Sequence, residues 1–478
     1  MPDGIKRRNF MKYAGVAGGA ALAGCTGGDG GDGGDGGGGG DGGDGGGGTT
    51  TQGTTTDPMT DGERPVKMLT ILPFAYDPEK KKYEDTTGVS LKRNIVAQAT
   101  TQQKMHAGGN EEFDIMASGP SIGGDIAFTD PPLTTDIPLD KVPNWETDKI
   151  TDLFTNPEER IPQIGHQATT IKDIVWRGKD PMSADAMSHP VFQFNLDAMG
   201  SNPKFVAPDD ISKWSAMFDD QYKGKTTIQT TTPHSILETM THLMDKGVMK
   251  KDASGLNEPS KDQLDTTIDF LIKQKQEGQF RSLWTQYGEA VNLMANEEAI
   301  VGDVWQPVVF TVRQQGAPCH YHTMSDGIQG YRFWWGGVNP TNPGAKNHGN
   351  VDEAYAWYNM HLGAWYPGFI QAIAGFYTPQ FPNKELVRTG EDETGKGMGP
   401  EYYDWAHEGK ATYQSIDKPF LFDPTKYDWS MEEGTPSPDG KKRDTGGIDE
   451  KVSRIRMVQI WPKTGGYMLQ RWKEFTGA

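Results

Sequence analysis

The sequence predicts an α/β fold arranged as two lobes, and three observations carry that reading. Strand-like and helix-like segments alternate along most of the chain, which is the rhythm of sheets flanked by helices. Residues 64–478, the part able to fold, number about 415, too many for one hydrophobic core and suited to two. No internal sequence repeat is visible.

The elements follow in order. Residues 66–72 (VKMLTIL) form an apolar, strand-like run. A short helix is expected over 78–86, stopped by Thr87-Gly88, and a second strand over 89–97. Residues 100–107 read as a helix ended by Gly108-Gly109, and 113–117 (FDIMA) as a third strand. The alternation resumes with a strand at 189–195, a helix at 210–218 capped by Asp209 or Asp210, and a strand at 226–230. Thr232-Pro233 then opens a helix to about 246: Thr offers a capping oxygen, and Pro sits where a missing N–H costs nothing. Amphipathic helices are expected at 261–277 and 284–295, a strand at 299–305 and a helix at 351–362. Beyond 380 the chain becomes Pro/Gly- and charge-rich; loops are expected through 448 and a closing helix at 466–475.

The first 63 residues have a different character. Residues 6–12 read KRRNFMK, with the arginine pair Arg7 and Arg8. The small-residue apolar run from 15 to 25 is too short for a membrane span, which needs about 20 apolar residues. It ends Leu22-Ala23-Gly24-Cys25. Residues 26–48 are Gly and Asp apart from Thr26, and 49–57 are mostly Thr, so this stretch has nothing to bury. The whole chain carries an acidic balance, 65 acidic against 47 basic side chains, for a formal charge of −18. Such a surface repels nucleic acid and anionic membrane and argues against both as partners. Its simplest role is solubility; attraction of a cationic solute is the sharper alternative.

Several motifs carry a resemblance. Arg7 and Arg8 in KRRNFMK resemble a twin-arginine export signal, with Lys6 where Ser or Thr usually stands, and Leu22 to Cys25 resembles a lipobox. Together with the Gly/Asp tether they resemble exported lipoproteins of halophilic archaea. In the body, Asn195-Leu196-Asp197, Pro208, Trp214 and residues 218–225 (FDDQYKGK) resemble a segment of type II periplasmic binding proteins. Gly302-Asp303-Val304-Trp305 and Phe333-Trp334-Trp335-Gly336-Gly337 continue it and place the chain nearest the spermidine/putrescine-binding subfamily, over roughly 66–375.

The resemblance implies two α/β lobes joined by hinge strands and closing on a solute. It implies an ABC-importer binding subunit, monomeric, with no cofactor and no bound metal, anchored by lipid on the outer face of the membrane beside its permease. The expected organisation is a signal peptide (1–25), a tether (26–63), a first lobe (64–188), a second lobe (189–322), a return to the first (323–380) and a C-terminal extension (381–478). Cys25 would carry the lipid. Family aromatics fall on Trp305 and on Trp334 or Trp335, with Tyr76 in the first loop. Hydroxyls of Ser118, Ser121, Thr231 and Thr232 fall at strand ends and helix starts, and Asp303 is the nearby acid. The match departs at the acids: the family's carboxylate after the tryptophan falls on Gly336 or Gly337, and its acidic pair falls within residues 230–235 (TTTPHS). Spermidine is therefore expected to bind weakly.

Other patterns offer less. Cys319-His320-Tyr321-His322 holds three donors, but alternate strand residues face opposite sides, so only His320 and His322 share a face. Tyr402-Tyr403 resembles the adjacent tyrosines of ferric-ion binders, which keeps a ferric-binding protein of the same fold as an alternative. No G-x-S-x-G, H-E-x-x-H or P-loop occurs, so an enzyme is not expected; a secreted, lipid-anchored hydrolase is the alternative from another class.

Overall fold

The computed structural model describes residues 64–478, apart from 231–233, 411–412, 414–417, 423–426, 429–434, 437–440, 442, 445 and 461–463. Arg7, Arg8, Cys25, the tether, Thr231 and Thr232 lie outside the described residues.

The chain enters on β1 (Val66–Thr70), whose Val66, Met68, Leu69 and Thr70 are buried. Helix α1 (Asp77–Thr87) follows and ends on Gly88, whose φ of 73° is a left-handed cap. Then come β2 (Leu91–Ile95), α2 (Gln98–Lys104), β3 (Ile115–Ser118), α3 (Pro120–Ala127) and α4 (His166–Trp176). β4 (Val191–Asp197) and β5 (Met199–Ser201) are separated by Ala198 alone. The second body adds β6 (Thr226–Gln229), α5 (Ser235–Asp245), α6 (Lys261–Gln276), β7 (Phe280–Trp284), α7 (Tyr287–Ala295), β8 (Val301–Asp303), α8 (Gln306–Gln314) and β9 (His320–Tyr321). The chain returns on β10 (Tyr331–Pro340), then α9 (Val351–His361) and α10 (Trp365–Ala374), and closes with β11 (Ile455–Val458) and α11 (Gly465–Gly477).

Two sheets organise these elements. The first has the order β11–β10–β3–β1–β2, with β4 on the other flank of β10. β1 is parallel to β2 and β3, whereas β10 is antiparallel to β3 and β4. All ten residues of β10 are buried, which fits a strand paired on both edges and covered on both faces. The second sheet has the order β9–β5–β8–β6–β7. The chain passes between the sheets at Ala198 and again between β9 and β10. These passages are tied together, because the Ala198 N–H donates to the Tyr321 hydroxyl at 2.8 Å. A third passage follows β11: α11 packs on α6, where Arg471 pairs with Asp265 at 2.9 Å and Lys275 Nζ donates to the Phe475 carbonyl at 3.1 Å.

Several local expectations change. The segment expected as a helix at 210–218 is two 3-10 turns, Pro208–Asp210 and Trp214–Phe218, pinned by the Trp214 indole donating to the Gly330 carbonyl at 2.9 Å. The expected helix 284–295 splits into β7 and α7. Trp284 completes a parallel strand beside β6, and the Gln286 N–H donates to the Glu289 carboxylate at 2.9 Å, starting the helix three residues later, at Tyr287. β11 lies in a stretch expected to run from loop to helix, and α4 and α10 were not anticipated. No described helix is long and apolar enough to cross a membrane.

Candidate functional site

The strand ends and helix starts of the two sheets meet in an aromatic seam. On the first side, the turn after β1 carries Phe74 and Tyr76. Phe74 stacks on Trp334 with centroids 5.4 Å apart and planes 18° apart. Neighbours on a strand face opposite ways, so Trp335 turns instead into the core beside Phe333 (5.5 Å) and Phe154 (5.9 Å). Trp334 is 7 % exposed and Trp335 0 %. Of Trp334 and Trp335, one of which was expected in the cleft, Trp334 holds the seam position and Trp335 is a core residue.

Gly336 and Gly337, where the resembling family has an acid, are demanded by packing. A Cβ on Gly336 would lie 2.7 Å from the Phe74 ring, and one on Gly337 would lie 2.3 Å from the His189 imidazole. No carboxylate fits at either position. Ser118 ends β3 with a buried hydroxyl that has no hydrogen-bond partner. Ser121, in the first turn of α3, donates to the Gln459 carbonyl at 2.9 Å and is used structurally.

On the second side, Trp305 caps α8, half-buried, with its ring edge-on to Trp284 at 5.1 Å. Gln306 follows it, fully buried, with neither amide atom partnered. Its Nε2 would lie 2.5 Å from a Cβ on Gly375, which ends α10 on the first side. Gly375 is next to Phe376, and the Phe376 ring lies 5.5 Å from Trp334. Tyr287 donates to the Pro307 carbonyl at 2.8 Å. Burial, then Tyr287, then Glu79 raise the Tyr76 hydroxyl well above its ordinary pKa, so the two tyrosines are neutral neighbours across the seam. The sequence reading missed Gln98, Tyr287 and Gln306; Gln306, the residue after Trp305, could have been noticed from its place at a helix start.

Beneath the seam sits a buried charge centre. Arg332 of β10 lies 3.0 Å from Asp197 at the end of β4 and 3.6 Å from Asp303 at the end of β8, and it also pairs with Glu238 of α5. Burial raises the Glu238 pKa to about 8; Arg332 opposes the shift and Asp303 adds to it. Burial works against charge on Arg332, but Glu238, Asp303 and Asp197 outweigh it and hold the guanidinium protonated. His234 stays neutral through burial and the Arg332 charge. Asp303, which the sequence offers as a ligand acid, also accepts from Gln229 (3.1 Å) and Ser235 (2.9 Å) and is committed to this centre. Arg332 stands beside the Phe-Trp-Trp run, where its charge was the signal available in the sequence.

The other motifs are packed. The rings of His320 and His322 are 4.7 Å apart, but His322 Nε2 lies 2.6 Å from Ser201 Oγ. Cys319 is buried, and burial pushes its thiol pKa up to about 12. Among the described residues no group of three or more His, Cys, Asp or Glu could hold a metal. Tyr402 donates to the Pro367 carbonyl at 2.6 Å, and Tyr403 stacks on His407 at 4.8 Å.

These features define the two-lobed fold of type II periplasmic binding proteins. The chain is similar in fold to the spermidine/putrescine ABC transporter substrate-binding protein of Streptococcus pneumoniae. That match has 13 % identity and a TM-score of 0.54 and covers 87 % of this chain and 99 % of the other. A protein of Listeria monocytogenes described as a spermidine/putrescine ABC transporter matches at 14 % identity and a TM-score of 0.55, over 86 % and 97 % of the two chains. No family model matches the chain, and no curated protein matches it in sequence.

Proposed function

We propose that the chain is the extracytoplasmic solute-binding subunit of an ABC importer, which captures a small solute between its lobes and presents it to a membrane permease. The observation that carries this reading is the seam itself. Tyr76 lies beside Tyr287 across it, and Gln306 abuts Gly375, next to Phe376 and Trp334 of the first side. A solute touching both sides favours the closed arrangement by its differential affinity, and the closed arrangement is the signal a permease can recognise. The fold shared with the two substrate-binding proteins supports the same role.

Export by a twin-arginine signal through Arg7 and Arg8, lipid attachment at Cys25 and a Gly/Asp tether complete the proposal. The tether gives a membrane-anchored, monomeric body the reach to dock. The ligand set carried forward is Tyr76, Trp305 and Trp334, with Thr231 and Thr232, which precede α5 in the sequence. Polyamine, the ligand class in the relatives' descriptions, fits poorly: glycines stand at the acid position, and Asp303 is paired with Arg332. Small-angle scattering of the full chain with and without a concentrated metabolite mixture tests the reading. The expected result is a saturable fall in radius of gyration. A profile indifferent to every mixture contradicts it.

A further inference from the structure

Resting on the solute-binding reading above, we infer that the site takes an uncharged, polyhydroxylated solute of the polyol or sugar class. The charged groups in the neighbourhood are already engaged with one another. Asp197, Glu238 and Asp303 all converge on Arg332, and Glu79 is bonded to His361 on α9. Side-chain amides remain.

Gln98 Nε2 and the Trp334 indole nitrogen each lie 2.7 Å from the position of a Cβ on Gly119, so two N–H donors converge on one point at the start of α3. Gln98 is 8 % exposed, and its Nε2 lacks a partner. Gln306, 0 % exposed, brings an unpartnered donor and an unpartnered acceptor from the opposite lobe. A buried polar atom without a partner is costly, so a cluster of them at a closing seam indicates groups that a ligand satisfies.

The donor and acceptor inventory selects the ligand. An ammonium group only donates; it can satisfy Gln306 Oε1 but leaves two amide N–H groups and an indole N–H unmatched. A carboxylate or phosphate only accepts; it leaves Gln306 Oε1 unmatched, and the guanidinium of Arg332 is enclosed by three acids. A hydroxyl both donates and accepts, and a polyol presents several on one face. Its C–H face suits the flat ring of the half-buried Trp305.

The test is isothermal calorimetry and thermal shift of the full chain against three sets: glucose, trehalose and glycerol; spermidine and putrescine; citrate and glutamate. Saturable binding and a rise in Tm are expected with at least one neutral probe and with neither charged set. Gln306→Leu should leave the Tm of the free chain unchanged or higher, because a buried unpaired amide is removed, and should weaken binding at least tenfold. Gln98→Leu serves the same purpose if the first variant fails to fold. Binding of spermidine or citrate with no neutral probe bound would overturn the ligand class and leave the solute-binding reading standing. Binding unaffected by both variants overturns the site assignment. Silence from all three sets overturns both readings.

Discussion

Arg443 and Asp444 are neighbours in the chain, yet they grip opposite lobes. Arg443 donates to Gln371 Oε1 at 3.1 Å and to the Gly375 carbonyl at 3.0 Å, at the end of α10 in the first lobe. Asp444 pairs with Arg313 of α8 and accepts from the Tyr321 N–H at 2.9 Å, both in the second. The Arg313 and Asp444 side chains are 3 % and 1 % exposed, so this clasp is dry. Asp444→Ala leaves Arg313 buried without its carboxylate and should cost about 3–5 kcal/mol in urea unfolding. The double variant Arg313→Met with Asp444→Leu should recover most of that loss. A cost below about 1 kcal/mol for Asp444→Ala counts against the clasp.

The Arg332 centre makes a second prediction. Arg332→Met strands Asp197, Glu238 and Asp303 together in the interior, a loss of at least about 3–5 kcal/mol. Adding Glu238→Gln should restore part of it by removing one of the stranded acids. If the double variant is no more stable than the single one by chemical denaturation, the three acids do not share this centre.

Protonation gives a third. Burial holds His189 and His242 down to about 4 and His407 to about 3, and it lowers His234 well below its usual value. Each binds a proton in the unfolded chain but not in the folded one, so stability is intact above about 6.5 and falls as pH drops towards 4. Glu238, raised to about 8, runs the other way: its contribution is present below 4.5 and is lost as pH rises to 8. The net slope in urea unfolding between pH 6 and 5 should approach three protons, about 4 kcal/mol per pH unit at most. A flat profile in that window contradicts neutral burial of the histidines.

How much of this was legible beforehand depended on how local the cause was. α1, α6, α9 and α11 carry their signals within a few residues: Gly88 as a stop, a Ser260–Gln263 capping box, and apolar spacing. β11 does not, because its partner β10 lies more than a hundred residues away and its own residues alternate with arginines. Trp334 and Trp335 were ambiguous until the register of β10 against β4 fixed which one faces Phe74. Asp303 looked like a free acid because Arg332, its partner, is near it only in space.

Export makes a fourth prediction. Cys25→Ser should abolish partitioning into the membrane fraction, and Arg7→Lys with Arg8→Lys should leave the precursor inside the cell. Unchanged partitioning of the first variant contradicts lipid attachment; normal secretion of the second points to the general secretory route.

The central claim is that one small solute is held between the lobes. Native mass spectrometry of the full chain, after incubation with a metabolite extract and rapid desalting, addresses it most directly. The account predicts one small-molecule adduct per chain, absent from a folded Trp334→Ala variant. An adduct that persists in that variant, or a chain that stays bare in every extract, would contradict it.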